Sequence, residues 1–205
     1  MYNSKRVLAS TLLGTIINSG PPHRPYYESG IANSLRTWVD EGDQVVIVGG
    51  GWGVTAAIAA EVVGPSGHVH VFEGSKQHTQ YVKETAQLNN VKERISVTHA
   101  IVGTEVSLRG DSGEAQSLSP QELPECDILE LDCEGSELEI LHNMTIDPRI
   151  MIVESHGHLG TPSDRVRDTL ENKEYQIVSE EVADRGLLDE CINNDVSVLT
   201  GVKNP

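Results

Sequence analysis

Cysteine, aromatic and basic residues are all scarce in this chain of 205 residues. The three cysteines, Cys126, Cys133 and Cys191, have no CxxC spacing, which argues against both a disulfide framework and a cysteine-ligated zinc site. We therefore expect a reducing, cytoplasmic compartment. Aromatic residues make up only 4% of the chain, so its core must be built mainly from aliphatic side chains.

The shortage of basic residues leaves the chain strongly acidic. It has 15 Lys and Arg against 31 Asp and Glu, a formal net charge of −16, and no Lys/Arg-rich run. Such a field repels nucleic acids and anionic membrane surfaces, so we expect neither as a partner. The acids are scattered along the chain rather than grouped, which is equally typical of solubility in high salt.

Long apolar runs are absent as well. The stretch 7–17 is interrupted by serine, threonine and glycine and is too short to cross a bilayer. Lys5 and Arg6 precede it, so a signal peptide is the alternative, although no clear cleavage pattern follows. We predict a surface helix over residues 1–19.

The length and composition fit one globular domain. Hydrophobic residues make up 38% and charged residues 22% of the chain, and 205 residues suffice for one sizeable core. No repeat or low-complexity linker divides the sequence. We expect a single domain over 1–205, with an N-terminal helical cap segment (1–41) and a core (42–205).

Strand and helix patterns alternate through the core. The β-branched run 44–48 is typical of a central parallel strand that is covered on both faces. The small residues of 55–60 permit the following helix to pack closely on the sheet. A second strand over 68–73 is followed by Ser75, which is placed to cap a helix. Further strands are predicted at 95–102, 127–131, 150–154, 175–181 and 196–202, and further helices at 26–40, 136–144 and 163–173, the last capped by Ser163.

This alternation predicts a Rossmann-like α/β fold. We expect a doubly wound, mainly parallel seven-stranded sheet with helices on both faces, and ligands beyond the carboxyl ends of the strands. The connector 103–125 is longer than most loops without secondary structure. A short strand over 106–108 and a role as a lid are the two interpretations of this connector.

The first predicted strand ends in a glycine turn, Gly49-Gly50-Gly51-Trp52-Gly53, that leads directly into a helix. Glycine leaves the main chain bare, so its N–H groups can reach a phosphate or carboxylate. We interpret Gly49 and Gly51 as positions where the chain approaches a ligand, and Gly53 as one that permits helix-to-strand contact. A tight connection without a ligand would use the same residues.

Glu73 lies 22 residues after Gly51, at the end of the second strand, where a carboxylate can accept hydrogen bonds from both ribose hydroxyls. Two cofactors share this geometry. Residues 51–56 match the GxGxxG/A pattern of nicotinamide cofactors, whereas the GxGxG spacing that starts at Gly49 suits a ligand with a carboxylate. The predicted cofactor-binding set is completed by Gly74, Ser75, Ile101 and Asp132.

Four segments carry a more specific pattern: 42–49 with the glycine turn, 69–73, 127–137 and 152–156. Together they resemble the class I S-adenosylmethionine-dependent methyltransferases, and within that class the FkbM family. The segment 127–137 is the most specific, because it resembles the family's Asp-x-Glu-Gly-x-Glu block. The resemblance spans about residues 26–202 and implies S-adenosylmethionine as the cofactor.

The chain departs from the family pattern at three positions. Ile47 stands where the family usually has an acid, and Gly51 stands where it usually has an asparagine. Glu130 stands where a lysine is common. These changes leave a cofactor site in place and alter the electrostatics next to it.

The resemblance also implies roles on the acceptor side of the site. Asp132 would lie near the methionine end of the cofactor, and the carboxylates of Glu134 and Glu154 would orient the acceptor. His156 is our first choice for the general base, because the ordinary pKa of histidine lies near neutrality. A solvated histidine in a glycine-flanked loop is the alternative.

A metal ion is a further possibility for the same residues. Asp132, Glu134 and Glu154, together with His156, would suit Mg²⁺, which could polarise an acceptor hydroxyl. His68 and His70 are also spaced like a metal pair, although we expect them to be partly exposed strand positions.

Four residues near the predicted site have two interpretations each. Tyr26, Tyr27 and Glu28 either cover the acceptor or pack against the domain. Trp52 either flanks the methionine moiety or packs on the neighbouring helix.

These predictions lead to an S-adenosylmethionine-dependent methyltransferase whose acceptor is a hydroxyl oxygen of a small molecule or glycan. The preference for oxygen follows from the resemblance alone. The alternatives are an NAD(P)-dependent oxidoreductase, for which the chain lacks a Tyr-x-x-x-Lys pair, and a cofactor-binding module without catalysis. A homo-oligomer is compatible with the sequence.

Overall fold

An eight-stranded sheet with helices on both faces forms the core of the protein. The computed structural model describes residues 1–7, 23–104 and 107–203. The strands are β1 (Gln44–Val48), β2 (His68–Glu73), β3 (Ile95–Val102), β4 (Gln116–Leu118), β5 (Ile128–Leu131), β6 (Ile150–Glu154), β7 (Tyr175–Val182) and β8 (Ser197–Lys203). The helices are α1 (Ser29–Trp38), α2 (Val54–Val62), α3 (Lys76–Leu88), α4 (Glu137–Asn143), α5 (Ser163–Asn172) and α6 (Leu188–Asn194).

The strand order is β4-β3-β2-β1-β5-β6-β8-β7. Neighbours from β4 to β6 are parallel, and β8 runs antiparallel to both β6 and β7. The predicted doubly wound, mainly parallel sheet is therefore confirmed. The chain leaves β1 towards β2 on one side and returns to β5 on the other, which creates the crevice where ligands bind in such sheets.

The predicted count of seven strands is one too low. The additional strand, β4, lies in the connector 103–125 and pairs with the edge of β3. Its three residues show neither an apolar run nor alternation, so only the pairing partner makes them a strand. Of the strand predicted over 106–108, residue 106 lies outside the described residues, and Leu108 is in irregular structure.

The central strand β1 is buried on both faces, as predicted. Val45 and Ile47 pack on one side with α1, α2 and α3, while Val46 and Val48 pack on the other with α4 and α5. Successive side chains of a strand point to opposite faces, which explains why a continuous β-branched run suits this position. The alanines of α2 are also buried, so this helix approaches the sheet closely.

The first residues of α3 and α5 are held by hydrogen bonds of two kinds, one local and one to a distant residue. Ser75 caps α3, since its Oγ accepts a hydrogen bond from the N–H of His78 at 3.4 Å. The cap predicted at Ser163 is wrong, because Ser163 is the first helical residue of α5. Its N–H and Oγ both donate to the carboxylate of Asp195, at 2.9 and 2.7 Å. The segment before β8, where the sequence pattern predicts no helix, contains α6.

The N-terminal segment packs against the domain through its aromatic residues. Residues 1–7 form a turn closed by Tyr2 and Lys5, so the helix predicted over 1–19 is wrong for them, and residues 8–19 lie outside the described residues. The Tyr2 ring lies 4.9 Å from that of Tyr27, and Lys5 pairs with Glu61. Among the described helices, none is long and apolar enough to span a membrane.

The two histidines of β2 hydrogen-bond to the neighbouring strand. His68 Nε2 lies 3.0 Å from Ser96 Oγ, and His70 Nε2 lies 2.8 Å from Thr98 Oγ1. Both side chains are partly buried on β2, which fits strand positions better than a shared metal site.

Candidate cofactor and acceptor site

A cleft opens at the carboxyl ends of β1, β2, β3 and β5. Six of the predicted cofactor-binding residues line it: Gly49, Gly51, Glu73, Gly74, Ile101 and Asp132. The other two lie outside its wall. Gly53 contacts α3, where an added Cβ would lie 2.7 Å from Val82 Cα, so it permits helix-to-helix contact rather than the predicted helix-to-strand contact. Ser75 caps α3.

Glu73 ties the glycine turn to the second strand. Its Oε2 accepts hydrogen bonds from the N–H groups of Gly50 and Gly51, at 2.8 and 2.9 Å, and its Oε1 accepts one from Ser75 at 2.7 Å. The residue is only 4% exposed. An ionised carboxylate has about four acceptor positions, so Glu73 keeps capacity for a ligand hydroxyl while it holds the turn.

Two glycines of the turn are required for different reasons. Gly49 has φ +99°, and a Cβ there would lie 1.7 Å from the carbonyl oxygen of Asp132. The close neighbour of Gly49 is therefore the end of β5. Gly51 has φ +48°, and the nearest atom to its Cβ position is Glu28 Oε1 at 3.8 Å. The main chain is thus bare towards the cleft at Gly51.

Four of the five backbone donors of the turn are used within the protein. Besides the two N–H groups bound by Glu73, Gly49 donates to the carbonyl of Phe72 at 2.9 Å and Gly53 donates to that of Gly50 at 2.8 Å. The cleft is also acidic, because the carboxyl groups of its wall belong to Glu28, Glu73, Asp132 and Glu134, and the guanidinium of Arg109 faces them. Such a cleft favours cations over phosphates.

Tyr27, Glu28 and Trp52 belong to the cleft wall as well as to the packing. Burial, followed by the charge of Asp132, raises the pKa of Glu28 to about 8. Trp52 stacks on Tyr81 of α3, with ring centroids 4.5 Å apart. Trp52 thus packs on the neighbouring helix and also lines the cleft, while a position beside the methionine moiety stays a prediction. Tyr26 is 55% exposed and does not line the cleft.

A histidine–carboxylate cluster lies beside the cleft and consists of Asp132, Glu134, Glu137, Glu154 and His156. His156 Nδ1 lies 3.0 Å from Glu137 Oε1. On the other side of the ring, Nε2 faces Asp132 Oδ1 at 3.5 Å, Glu154 Oε1 at 3.6 Å and Glu134 Oε2 at 3.7 Å. The sequence therefore identifies four residues that the fold brings together, and the structure adds Glu137.

Glu137 is held in place by the main chain of its own block. Its carboxylate accepts hydrogen bonds from the N–H groups of Cys133 and Gly135 and from the Thr161 hydroxyl. Burial would raise the pKa of Glu137, but the hydrogen bond and charge of His156 lower it. The third acid of the Asp-x-Glu-Gly-x-Glu block thus orients His156, and this motif is the signal that could have identified it.

The environment of His156 moves its titration away from neutrality. Burial alone would lower its pKa, but the hydrogen bond that its ring donates to Glu137 and the charges of Asp132, Glu137 and Glu134 raise it to about 9. The side chain is 2% exposed, and it does not line the cleft. In the absence of a metal ion this pKa favours the protonated imidazole at neutral pH, and binding of an ion at Nε2 would release that proton. The role of His156 as a general base stays a prediction.

Two of the three departures from the family pattern are deeply buried, and the third, Gly51, lines the cleft. Ile47 is fully buried in the core of β1. Glu130 is also fully buried, and both its carboxylate oxygens have no hydrogen-bond partner in the described part of the chain. Burial raises the pKa of Glu130. This residue lies two positions before Asp132 and is not part of the cluster.

Arg109 is the cleft residue that the sequence did not indicate. Its guanidinium lies 2.7 Å from Glu134 Oε1, and its side chain is 72% exposed. It belongs to the connector 103–125, which also contributes Ser107 and Leu108 to the wall. A single basic residue in a polar connector has no local signal, so only the folded chain shows its position.

The fold is that of class I S-adenosylmethionine-dependent methyltransferases. The sequence matches no protein-family model and no curated protein. Aeropyrum pernix fibrillarin with bound S-adenosylmethionine is 16% identical, with 86% of this chain and 74% of that chain covered and a TM-score of 0.56. A Thermotoga maritima S-adenosylmethionine-dependent O-methyltransferase is 18% identical (95% and 71% covered, TM-score 0.55). A Geobacter metallireducens precorrin-6y C5,15-methyltransferase is 14% identical (86% and 87% covered, TM-score 0.57).

Proposed function

We propose that the protein is an S-adenosylmethionine-dependent methyltransferase that methylates a hydroxyl oxygen of a small molecule or glycan. The observation that carries the cofactor assignment is the acidic cleft whose glycine turn has its N–H donors bound by Glu73 and by the protein's own carbonyls. The shared fold with proteins such as the fibrillarin that contains S-adenosylmethionine supports the same assignment.

The charge of the cleft distinguishes the two cofactors that the sequence left open. A nicotinamide dinucleotide brings a pyrophosphate, which needs free N–H donors at the glycine turn. Here those of Gly50 and Gly51 point to a carboxylate, which would also repel the phosphates. S-adenosylmethionine instead brings a sulfonium and an ammonium group, and both are cations. The acidic side chains of Asp132 and Glu28 in the cleft wall therefore favour S-adenosylmethionine.

The residues present fit this cofactor in chemical character. Glu73 offers a carboxylate for ribose hydroxyls, and Gly74 and Ile101 form an apolar part of the wall beside it. Asp132 lies at the opposite side of the turn, next to Gly49. S-adenosylmethionine supplies an electrophilic methyl group. The protein's own contribution is to align the acceptor with that group and to keep the site shaped for it.

The acceptor assignment rests on the resemblance of 127–137 and 152–156 to the FkbM family and on charge. The solved structures with this fold include enzymes named for RNA, protein and precorrin substrates, so the fold alone leaves the acceptor open. A net charge of −16 and an acidic cleft disfavour polyanionic acceptors. A neutral or cationic hydroxyl compound suits Asp132 and Glu134 better.

Calorimetric titration of the purified protein with S-adenosylhomocysteine and with NADH, at low and high salt, tests the cofactor assignment. We expect micromolar binding of S-adenosylhomocysteine and none of NADH. Glu73→Gln should weaken binding about 10-fold or more, as expected for loss of charge-assisted hydrogen bonds worth about 1.5–3 kcal/mol. Glu93→Gln, a change at an acid that is 86% exposed, is the control. Binding of NADH alone would overturn the proposal.

A further inference from the structure

We propose that the histidine–carboxylate cluster binds a divalent transition-metal ion such as Mn²⁺, with His156 Nε2 and the carboxylates of Asp132 and Glu134 as ligands. This inference deepens the proposed function, because Asp132 and Glu134 also line the cleft. Only the role of the ion next to an acceptor rests on that function. The binding site itself rests on the geometry of the cluster.

The first observation is the spacing of the three candidate ligand atoms, all of which lie within 4.8 Å of one another. Asp132 Oδ1 and Glu134 Oε2 lie 3.5 and 3.7 Å from His156 Nε2. A charge-assisted hydrogen bond would be about 2.7–2.9 Å long, so these oxygens stand too far away for strong bonds to the ring. Two ligands that each lie about 2.1 Å from one ion are about 3.5 Å apart at a tetrahedral angle. The oxygens therefore surround a position that suits an ion.

The second observation is a buried carboxylate oxygen without a partner. Glu154 is only 8% exposed, and its Oε1 is one of the three oxygens that face His156. Its Oε2 is inaccessible and accepts no hydrogen bond from any described residue. A buried carboxylate without a partner is costly. A cation held at the cluster would compensate this charge.

The third observation is the support of the imidazole from behind. A histidine that binds a metal commonly donates its other ring N–H to a carboxylate, which sets the tautomer and the direction of the ring. Glu137 meets this requirement at Nδ1, and main-chain N–H groups and Thr161 hold its carboxylate. Nε2 is left as the ligand atom. Glu137 is thus a positioning residue for the site.

The mixed ligand set distinguishes between ions. The sequence predicts Mg²⁺ because carboxylates are hard oxygen ligands. An imidazole at the centre of the set shifts the preference towards Mn²⁺, Fe²⁺, Co²⁺ or Zn²⁺, for which nitrogen is a better ligand. Next to a bound hydroxyl acceptor, such an ion would supply Lewis acidity.

The test is titration of chelator-treated protein with MnCl₂, followed by calorimetry and by electron paramagnetic resonance, without cofactor or acceptor. We expect one Mn²⁺ per chain, a resonance signal with coupling to a nitrogen nucleus, and at least 10-fold weaker binding of Mg²⁺. Glu134→Gln should weaken Mn²⁺ binding 10-fold or more, and His156→Ala should remove the nitrogen coupling. Glu137→Gln should weaken binding about 10–100-fold.

Glu130→Gln is the matched control, because Glu130 is a buried carboxyl on the same strand as the cluster and lies outside it. Its Mn²⁺ affinity should equal that of the unchanged protein, and circular dichroism should show that every variant is folded. Failure of the unchanged protein to bind Mn²⁺, unchanged binding in Glu134→Gln, or a signal without nitrogen coupling would overturn the site. Titration of the same sample with S-adenosylhomocysteine tests the proposed function separately.

Discussion

The glycine turn allows a sharp test of how closely β1 and β5 approach each other. Gly49→Ala places a Cβ 1.7 Å from the carbonyl oxygen and 2.7 Å from the carbonyl carbon of Asp132. Real Cβ atoms essentially never come within 3.0 Å of another heavy atom, so the main chain must move by more than 1 Å. Gly51→Ala is the matched variant, because it also has positive φ but meets no atom closer than 3.8 Å.

The two variants should differ in stability by several kcal/mol. Positive φ costs an alanine about 1–2 kcal/mol at either position. At Gly49 the displacement also endangers the backbone hydrogen bonds from Asp132 to Val48 and from Gly49 to Phe72, worth about 1 kcal/mol each. Overpacking adds about 1–3 kcal/mol. We therefore expect a loss of about 4 kcal/mol or more for Gly49→Ala and of about 1–2 kcal/mol for Gly51→Ala.

Thermal unfolding followed by circular dichroism measures this difference. For a domain of this size, 1 kcal/mol corresponds to about 2–4 °C in Tm, so Gly49→Ala should melt at least about 8 °C below the unchanged protein or fail to fold. Gly51→Ala should fold and lose only a few degrees. Equal melting temperatures for the two variants would refute the tight contact between the turn and the end of β5.

Three further predictions concern charged residues around the site. The pKa of Glu28 is raised from 4.5 to about 8, so the unchanged protein should lose stability as pH rises from 4.5 to about 8. Glu28→Gln should be spared this loss of about 3–5 kcal/mol. Urea unfolding that gives the same difference in free energy of unfolding between the two proteins at both ends of this pH range would contradict the prediction. Asp195→Ala removes two hydrogen bonds from Ser163 and should lower the free energy of unfolding in urea by about 1–3 kcal/mol. The affinity for S-adenosylhomocysteine should stay the same, and a changed affinity would show that Asp195 acts on the site. Arg109→Ala breaks an exposed pair with Glu134 and should lower the free energy of unfolding by no more than about 1 kcal/mol, with a correspondingly small change in Tm. A larger loss of stability would mean that Arg109 supports the fold.

The sequence contains enough local information for most of the sheet. The bounds of β3 (Ile95–Val102) and β6 (Ile150–Glu154) agree with prediction, and β1 has the predicted buried position between two parallel neighbours. Their signal is strong because a strand buried on both faces needs a continuous apolar run. The three-residue β4 has no such signal, since its hydrogen bonds come from a partner strand.

The sequence predicts which residues belong to the candidate site, but it does not predict the contacts between them. Glycines after a strand and acids at strand ends identify Glu73, Asp132 and Glu154 without a structure. That Glu73 holds the glycine turn depends on contacts across more than 20 residues of sequence. The same holds for Ser163, whose hydroxyl meets Asp195 rather than its own helix.

The chemistry of the cluster depends on strand order. Because β5 and β6 are parallel neighbours, with Leu131 opposite Val153, residues 132–134 and 154–156 leave the sheet side by side. Periodicity specifies where each strand ends, but it carries no information on which strands are adjacent. Only the folded sheet brings His156 among carboxylates from two strands. This juxtaposition raises the pKa of the ring, and it makes Nε2 a candidate metal ligand that would lose its proton when an ion binds.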